Sequence, residues 1–264
     1  MNGDGGIFDR GRLVCHCLLV ETDNGLVLID TGLGTRDIGD PEGGLPGPIW
    51  QAINQAVLVY EETALHQITE LGYKPEDVVD IVLTHLDFDH AGGIADFPNA
   101  RIHVNDLELA EALNPSKWIS HERYSKAQFL HGPKWEPHPI EGETWFGFRS
   151  VKPLGSDDLL MVPLYGHSKG HCGVAVRNGG RWLLHAGDAI FYSSELDRDE
   201  RRCPPGIRVY ENVFQHDRVL RMENLERLRD LARNHEDRVR VLCSHDPFDF
   251  AKVAVSSQSH AFMS

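Results

Sequence analysis

Four side chains able to bind a metal, His85, Asp87, Asp89 and His90, fall within one short run, Thr84-His85-Leu86-Asp87-Phe88-Asp89-His90. Two carboxylates this close repel each other, and removing them from water without a cation is costly. A divalent ion reverses that sign, so the chemistry on offer is metal-assisted hydrolysis or simple metal binding. Ala91-Gly92-Gly93 follows, where small residues let the chain turn tightly beside the cluster. One such run could be a solvated loop. Three further pieces argue against that: Gly166-His167-Ser168-Lys169-Gly170-His171, His185-Ala186-Gly187-Asp188 and Ser244-His245-Asp246. Each follows an apolar, strand-like run, and the ends of strands are where an α/β sheet commonly builds its site.

The elements that must position these residues alternate between strand and helix patterns. Leu13 to Val20 and Leu26 to Ile29 read as strands joined by a hairpin at Asn24-Gly25. Asp80 to Leu83 delivers the chain into His85. Later strands are expected at Arg101–Val104, Leu159–Leu164, Gly173–Arg177, Trp182–Ala186 and Val239–Cys243. Helical spacing appears over Glu61–Leu71, which stops at Gly72, and over Asp217–Arg233, with Met222, Leu225, Leu228 and Leu231 on one side. Two sheets covered by helices on their outer faces account for this order.

Two segments resist that pattern. One is the Gly/Pro-rich stretch Asp37–Pro48, leading into apolar Ile49–Tyr60. The other is Asn114–Phe148, with Trp118, Tyr124, Phe129, Trp135, Trp145, Phe146 and Phe148 among prolines and histidines. A lid or insert at 114–148 and aromatics packed locally under a long connection are both compatible with it.

The chain of 264 residues suits one large domain, with 26 basic against 40 acidic residues and a net charge of −14. Such a surface repels phosphate backbones, which excludes nucleic acid as an expected partner. The apolar runs are too short to span a bilayer, so no membrane partner is expected either. Met1–Arg12 lacks the order of a secretory signal. The odd, scattered set Cys15, Cys17, Cys172, Cys203 and Cys243 suits reduced thiols, giving a cytoplasmic expectation. Core packing is the favoured reading for Cys15 and Cys17, which share one face of a strand. The glycines Gly3–Gly6 lack the Lys-Ser/Thr ending of a phosphate loop, and the charged run Asp197–Arg202 reads as a solvated loop.

The run His85-Leu86-Asp87-Phe88-Asp89-His90, with the His, Asp and His motifs downstream in order, resembles the signature of the metallo-β-lactamase superfamily. The resemblance extends from the first hairpin to Asp246 and is most similar to lactonase-like hydrolases. It implies an αββα sandwich of two mixed sheets flanked by helices. By position it implies a first metal held by His85, Asp87 and His167, and a second held by Asp89, His90 and His245. Asp188 would bridge them, with His171 and Asp30 supporting from outside the ligand set. Where the family has histidine, this sequence has Asp87, a harder donor with an added negative charge. Zinc is the expected metal, with iron or manganese admitted by that change. An Asp87 that points away would leave a single metal.

The resemblance implies a metal-bridging hydroxide attacking a small ester or lactone, with Asp89 and Asp188 fixing the metals and relaying a proton. Relatives place a tyrosine shortly after the bridging aspartate. Here Phe191 is third after Asp188 and Tyr192 fourth, so Tyr192 is the catalytic candidate unless that donor is missing. The alternatives are a thioesterase of the glutathione-thioester type and a catalytically silent metal-binding protein. A homodimer is compatible with either.

Overall fold

The computed structural model describes residues 12–40, 45–46, 48–197 and 203–249. The readings of the Gly-rich N-terminus, of positions 41–44 in the Gly/Pro stretch and of most of the charged run after Asp197 lie outside those residues. Eleven strands and eight α-helices are described. The strands are β1 (Leu18–Thr22), β2 (Gly25–Ile29), β3 (Val78–Val82), β4 (Arg101–Asn105), β5 (Lys134–His138), β6 (Thr144–Trp145), β7 (Phe148–Arg149), β8 (Leu159–Pro163), β9 (Cys172–Asn178), β10 (Arg181–His185) and β11 (Val239–Leu242). The helices are α1 (Thr35–Gly39), α2 (Pro48–Asn54), α3 (Ala64–Glu70), α4 (Phe88–Ala91), α5 (Asp106–Leu113), α6 (Trp118–Arg123), α7 (Pro205–Phe214) and α8 (Arg218–Asn234).

One sheet runs β1-β2-β3-β4-β5, with β1 antiparallel to β2 and the remaining pairs parallel. The other runs β11-β10-β9-β8, antiparallel except for the β10–β11 pair. Alternation along β2 shows how the layers meet. Leu26 and Leu28 pack outward with Ile68, Leu86, Ile94, Phe97 and Leu109. Val27 and Ile29 point the other way, onto Leu159, Met161 and Val174 of the second sheet. The outer face of that second sheet is closed by Leu225, Leu228 and Leu231 of α8. This is the expected αββα sandwich. A sheet covered on both faces needs apolar residues at nearly every strand position, which explains the continuous apolar character of β8 and that of β3 apart from Asp80, whose carboxylate pairs with Arg101 and His103.

The boundaries move for local reasons. The two-residue turn is Asp23-Asn24, and Gly25, at φ 126°, opens β2. The expected helix over Glu61–Leu71 starts later, at Ala64, because the Thr63 side chain accepts the His66 N–H and caps it. Likewise Asp217 is the cap of α8, accepting from the N–H groups of Val219 and Leu220. Strand β5 escaped sequence reading because Lys-Trp-Glu-Pro-His is polar and contains proline. It lies at the edge of the sheet, where Pro137 can be accommodated.

The aromatics of 114–148 are divided between two cores. Tyr124, Phe129 and Trp135 pack against the first, and Trp145, Phe146 and Phe148 join the second. Trp118 is exposed. Among the described residues no helix is long and apolar enough to cross a membrane.

Candidate metal centre

The runs that follow β3, β8, β10 and β11 converge at one edge of the sandwich. His85, His90 and His245 are each held by one ring nitrogen so that the other faces a common centre. Asp30 is the hub. At φ 53° it adopts a left-handed backbone that aspartate tolerates better than most residues. Its carboxylate accepts the Thr84 N–H at 2.8 Å, the Thr84 hydroxyl at 2.8 Å and His90 Nδ1 at 2.9 Å. With its proton given to Asp30, Thr84 Oγ1 accepts from His85 Nδ1 at 2.9 Å. His245 Nδ1 donates to the Val14 carbonyl at 2.7 Å. Fixing Nδ1 in this way leaves Nε2 of His85, His90 and His245 as the available lone pairs.

Asp188 stands between them. Its Oδ2 lies 3.8 Å from His85 Nε2 and 3.4 Å from His167 Nε2. Its Oδ1 lies 3.2 Å from His90 Nε2 and 3.0 Å from His245 Nε2. Asp87 Oδ2 completes the first group, 3.4 Å from His85 and 3.1 Å from His167. Asp89 Oδ2 completes the second, 3.9 Å from His90 and 3.8 Å from His245. Donors about 2.0–2.1 Å from a tetrahedral ion are about 3.3–3.4 Å apart, so both groups have suitable dimensions. Asp188 offers one oxygen to each. The seven residues singled out by the sequence are therefore brought together, as two half-sites.

A cation fits this chemistry. His85 Nε2, His90 Nε2 and Asp188 Oδ1 are buried yet make no hydrogen bond, which is rare unless an ion or water completes them. Burial would raise the Asp188 carboxyl, but the imidazoles of His245, His90 and His167 hold it well below the usual carboxylate range. Burial would lower His90 and His245, yet Asp188 drives both well above the ordinary histidine value. The pocket demands positive charge, as protons or as metal.

His171 takes the expected supporting place. It accepts the Asp188 N–H at Nε2, 2.9 Å away, and donates from Nδ1 to the Leu164 carbonyl. Gly187 makes this possible: at φ 55°, a Cβ there would sit 2.6 Å from His171 Nε2. His185 is a core histidine, bonded through Nε2 to the His16 carbonyl.

Three features were not foreseen. Glu108 of α5 is fully buried and ties two ligand loops together. Its carboxylate accepts from the Leu86 N–H, the Ser168 hydroxyl, the Gly170 N–H and the Tyr124 hydroxyl. Its only sequence signal was a helical stretch after β4. Second, the buried guanidinium of Arg123 donates to Asp87 and meets His167. Nothing in its flanking sequence marked it, since 36 residues separate it from Asp87. Third, Cys15 is not a core residue. Its thiol lies 3.7 Å from Asp89 Oδ2 and, with Asp89 and His245, forms another group of ligand-type atoms. The strand-like alternation misled because residues 12–17 form no strand in the described chain. They pass beside the site, held by bonds such as His16 N–H to the Ser244 carbonyl.

Three residues after Asp188, Phe191 is the ring that lies against the histidines of the cluster. It stacks on His245 with centroids 4.9 Å apart and meets His167 at 5.7 Å. The Tyr192 N–H goes to Glu195. A phenol does approach from α7: Tyr210 contacts Phe191 at 5.6 Å. Burial raises its hydroxyl well above the usual tyrosine value, with Asp89, Asp87 and Asp188 adding to the effect. Beside it, Trp50, Phe88 and Phe214 form an apolar cluster. A cavity of about 210 Å³ opens against Trp50 and Phe88, lined also by Leu45, Pro46 and Leu58 and by the amides Gln51, Asn54 and Gln55.

Fold and cluster together define a class: an αββα protein with a histidine–aspartate metal centre at its strand ends. The family follows from similarity. The model described as the metallo-beta-lactamase superfamily matches residues 10–245, and the chain belongs to that superfamily as a metal-dependent hydrolase. It is 44% identical over 237 residues to a probable metallo-hydrolase of Mycobacterium tuberculosis, covering 89% of this chain and 75% of the relative. To the N-acyl homoserine lactonase AttM of Rhizobium radiobacter it is 28% identical, covering 92% and 86%. Among solved structures it is similar to an N-acyl homoserine lactone hydrolase with N-hexanoyl-L-homoserine bound at its catalytic metal center. The TM-score is 0.65 at 22% identity, covering 91% of this chain and 84% of that one.

Proposed function

We propose that this protein hydrolyses a small ester or lactone with an apolar acyl portion, using a divalent metal held among His90, His245, Asp89 and Asp188. The observation that carries this reading is the pair of buried, unbonded atoms His90 Nε2 and Asp188 Oδ1, with a largely apolar cavity touching Phe88, the residue between Asp87 and Asp89. The lactonase names of relatives such as AttM support the substrate class. The bound metal supplies Lewis acidity and brings the pKa of water toward about 7.

The chain's own groups supply the rest. Trp50 and Phe88 seat the acyl portion and exclude water. Asp89, with its side chain 22% exposed at the rim, accepts a proton from the attacking water and returns it to the leaving alkoxide. Water oxygen joins the acyl carbon as the acyl–oxygen bond breaks, so the products are an acid and an alcohol. We assign the carbonyl-donor role sought at Tyr192 to Tyr210, whose ring reaches the site through Phe191.

The test is zinc-loaded protein offered an N-acyl homoserine lactone, an aryl ester, a thioester and a phosphodiester. Lactone or ester turnover that is lost on chelation is expected. Metal retention with no turnover, or turnover of the thioester alone, overturns the assignment. Tyr210→Phe should lower kcat/KM about fivefold to tenfold, the effect of one neutral hydrogen bond, while Tyr192→Phe leaves it unchanged; the reverse pattern returns the role to Tyr192.

A further inference from the structure

Arg123, at the end of α6, is 2% exposed. Its Nη1 donates to both oxygens of Asp87, at 2.8 and 3.1 Å. The same nitrogen stands 2.7 Å from His167 Nε2. Its Nη2 donates to the carbonyl of Phe214, the last residue of α7, where a helix end favours positive charge. A guanidinium cannot give up its charge and has no lone pair to offer a metal. Because a guanidinium carries only N–H donors, His167 Nε2 is the acceptor in that contact. The negative charge of Asp87 and the lone pair of His167, both of which an ion would require, are thus already engaged.

The second half-site is different. Among the described residues, the ion-pair partners of Asp89 are His90 and His245, with no arginine or lysine. Cys15 adds a further donor beside them. Asp87, standing where the family pattern has histidine, provides the counter-charge that lets the buried Arg123 persist.

We propose that the guanidinium of Arg123 is the resident cation of the first half-site, and that the protein retains one divalent ion, in the second. This rests on the metal-centre reading above and departs from the two-metal arrangement of relatives such as the dizinc lactonase AidC.

The test is metal stoichiometry. Protein produced with excess zinc and then desalted should contain one equivalent by elemental analysis, and Arg123→Met should contain two. Cobalt titration of the unaltered metal-free chain, followed by its visible absorption, should break at one equivalent; this needs no variant to fold. Two equivalents in the unaltered chain by either measurement overturn the proposal but leave the metal-centre reading standing. A well-folded Arg123→Met that still holds one equivalent also overturns it. No bound metal in any form overturns the metal-centre reading itself.

Discussion

The two halves of the centre share Asp188 and are built from similar residues, yet they solve their electrostatics in opposite ways. In the first, Asp87 is neutralised from within by Arg123. In the second, Asp89 and the shared carboxylate face two imidazoles and no side-chain cation of fixed charge among the described residues. A motif of ligand-type residues is therefore not yet a ligand set. What matters is which lone pairs the surrounding fold has already used.

The largest expected effect comes from removing the element common to both halves. Asp188→Asn should lower kcat/KM by about a thousandfold, as expected for losing a central electrostatic group, and should release the bound metal; retention of both would remove Asp188 from the centre. Next is Asp87→Ala, which leaves Arg123 buried without its counter-charge. Unfolding free energy should drop by about 3–5 kcal/mol, measured by denaturant titration, and adding Arg123→Met should recover most of it. The metal at the second half-site should remain, so simultaneous metal loss would erase the distinction between the halves. Glu108→Gln should weaken metal affinity about 10–100-fold, the usual cost of altering a supporting carboxylate. An unchanged affinity would mean that the two loops hold their places without it.

A separate effect concerns pH and the helix behind the first half-site. Glu211 of α7 is pushed up to about 8 by burial and by Glu195, with Arg221 opposing. Glu195 is also raised by burial, with Arg221 and Arg229 opposing. Cys203 lies in the same cluster, and Asp188 adds to the shift of Glu211. The pair retains a proton in the folded protein that it would lose near pH 4.5 when unfolded. Its stabilising contribution is thus complete below about 4.5 and declines as pH rises through about 8. Melting temperature should fall over that interval, and Glu211→Gln should flatten the fall. Since α7 carries Phe214 and Tyr210, the loosening should appear first beside Arg123.

The sequence alone determined the sandwich and the convergence of four motifs. The unbroken apolar run Leu26-Val27-Leu28-Ile29 specifies a strand buried on both faces, and ligand-type residues just beyond strands are displayed at a sheet's edge. Those are local signals, carried by neighbours in the chain. Tertiary structure alone decided that Phe191 lies against His245, that Cys15 borders Asp89, and that Glu108 and Arg123 reach the centre. These contacts join segments tens of residues apart, and their side chains follow ordinary helical patterns. An arginine at the end of a short helix usually faces solvent. Only burial against Asp87 and the carbonyl end of α7 turns it into the first half-site's cation.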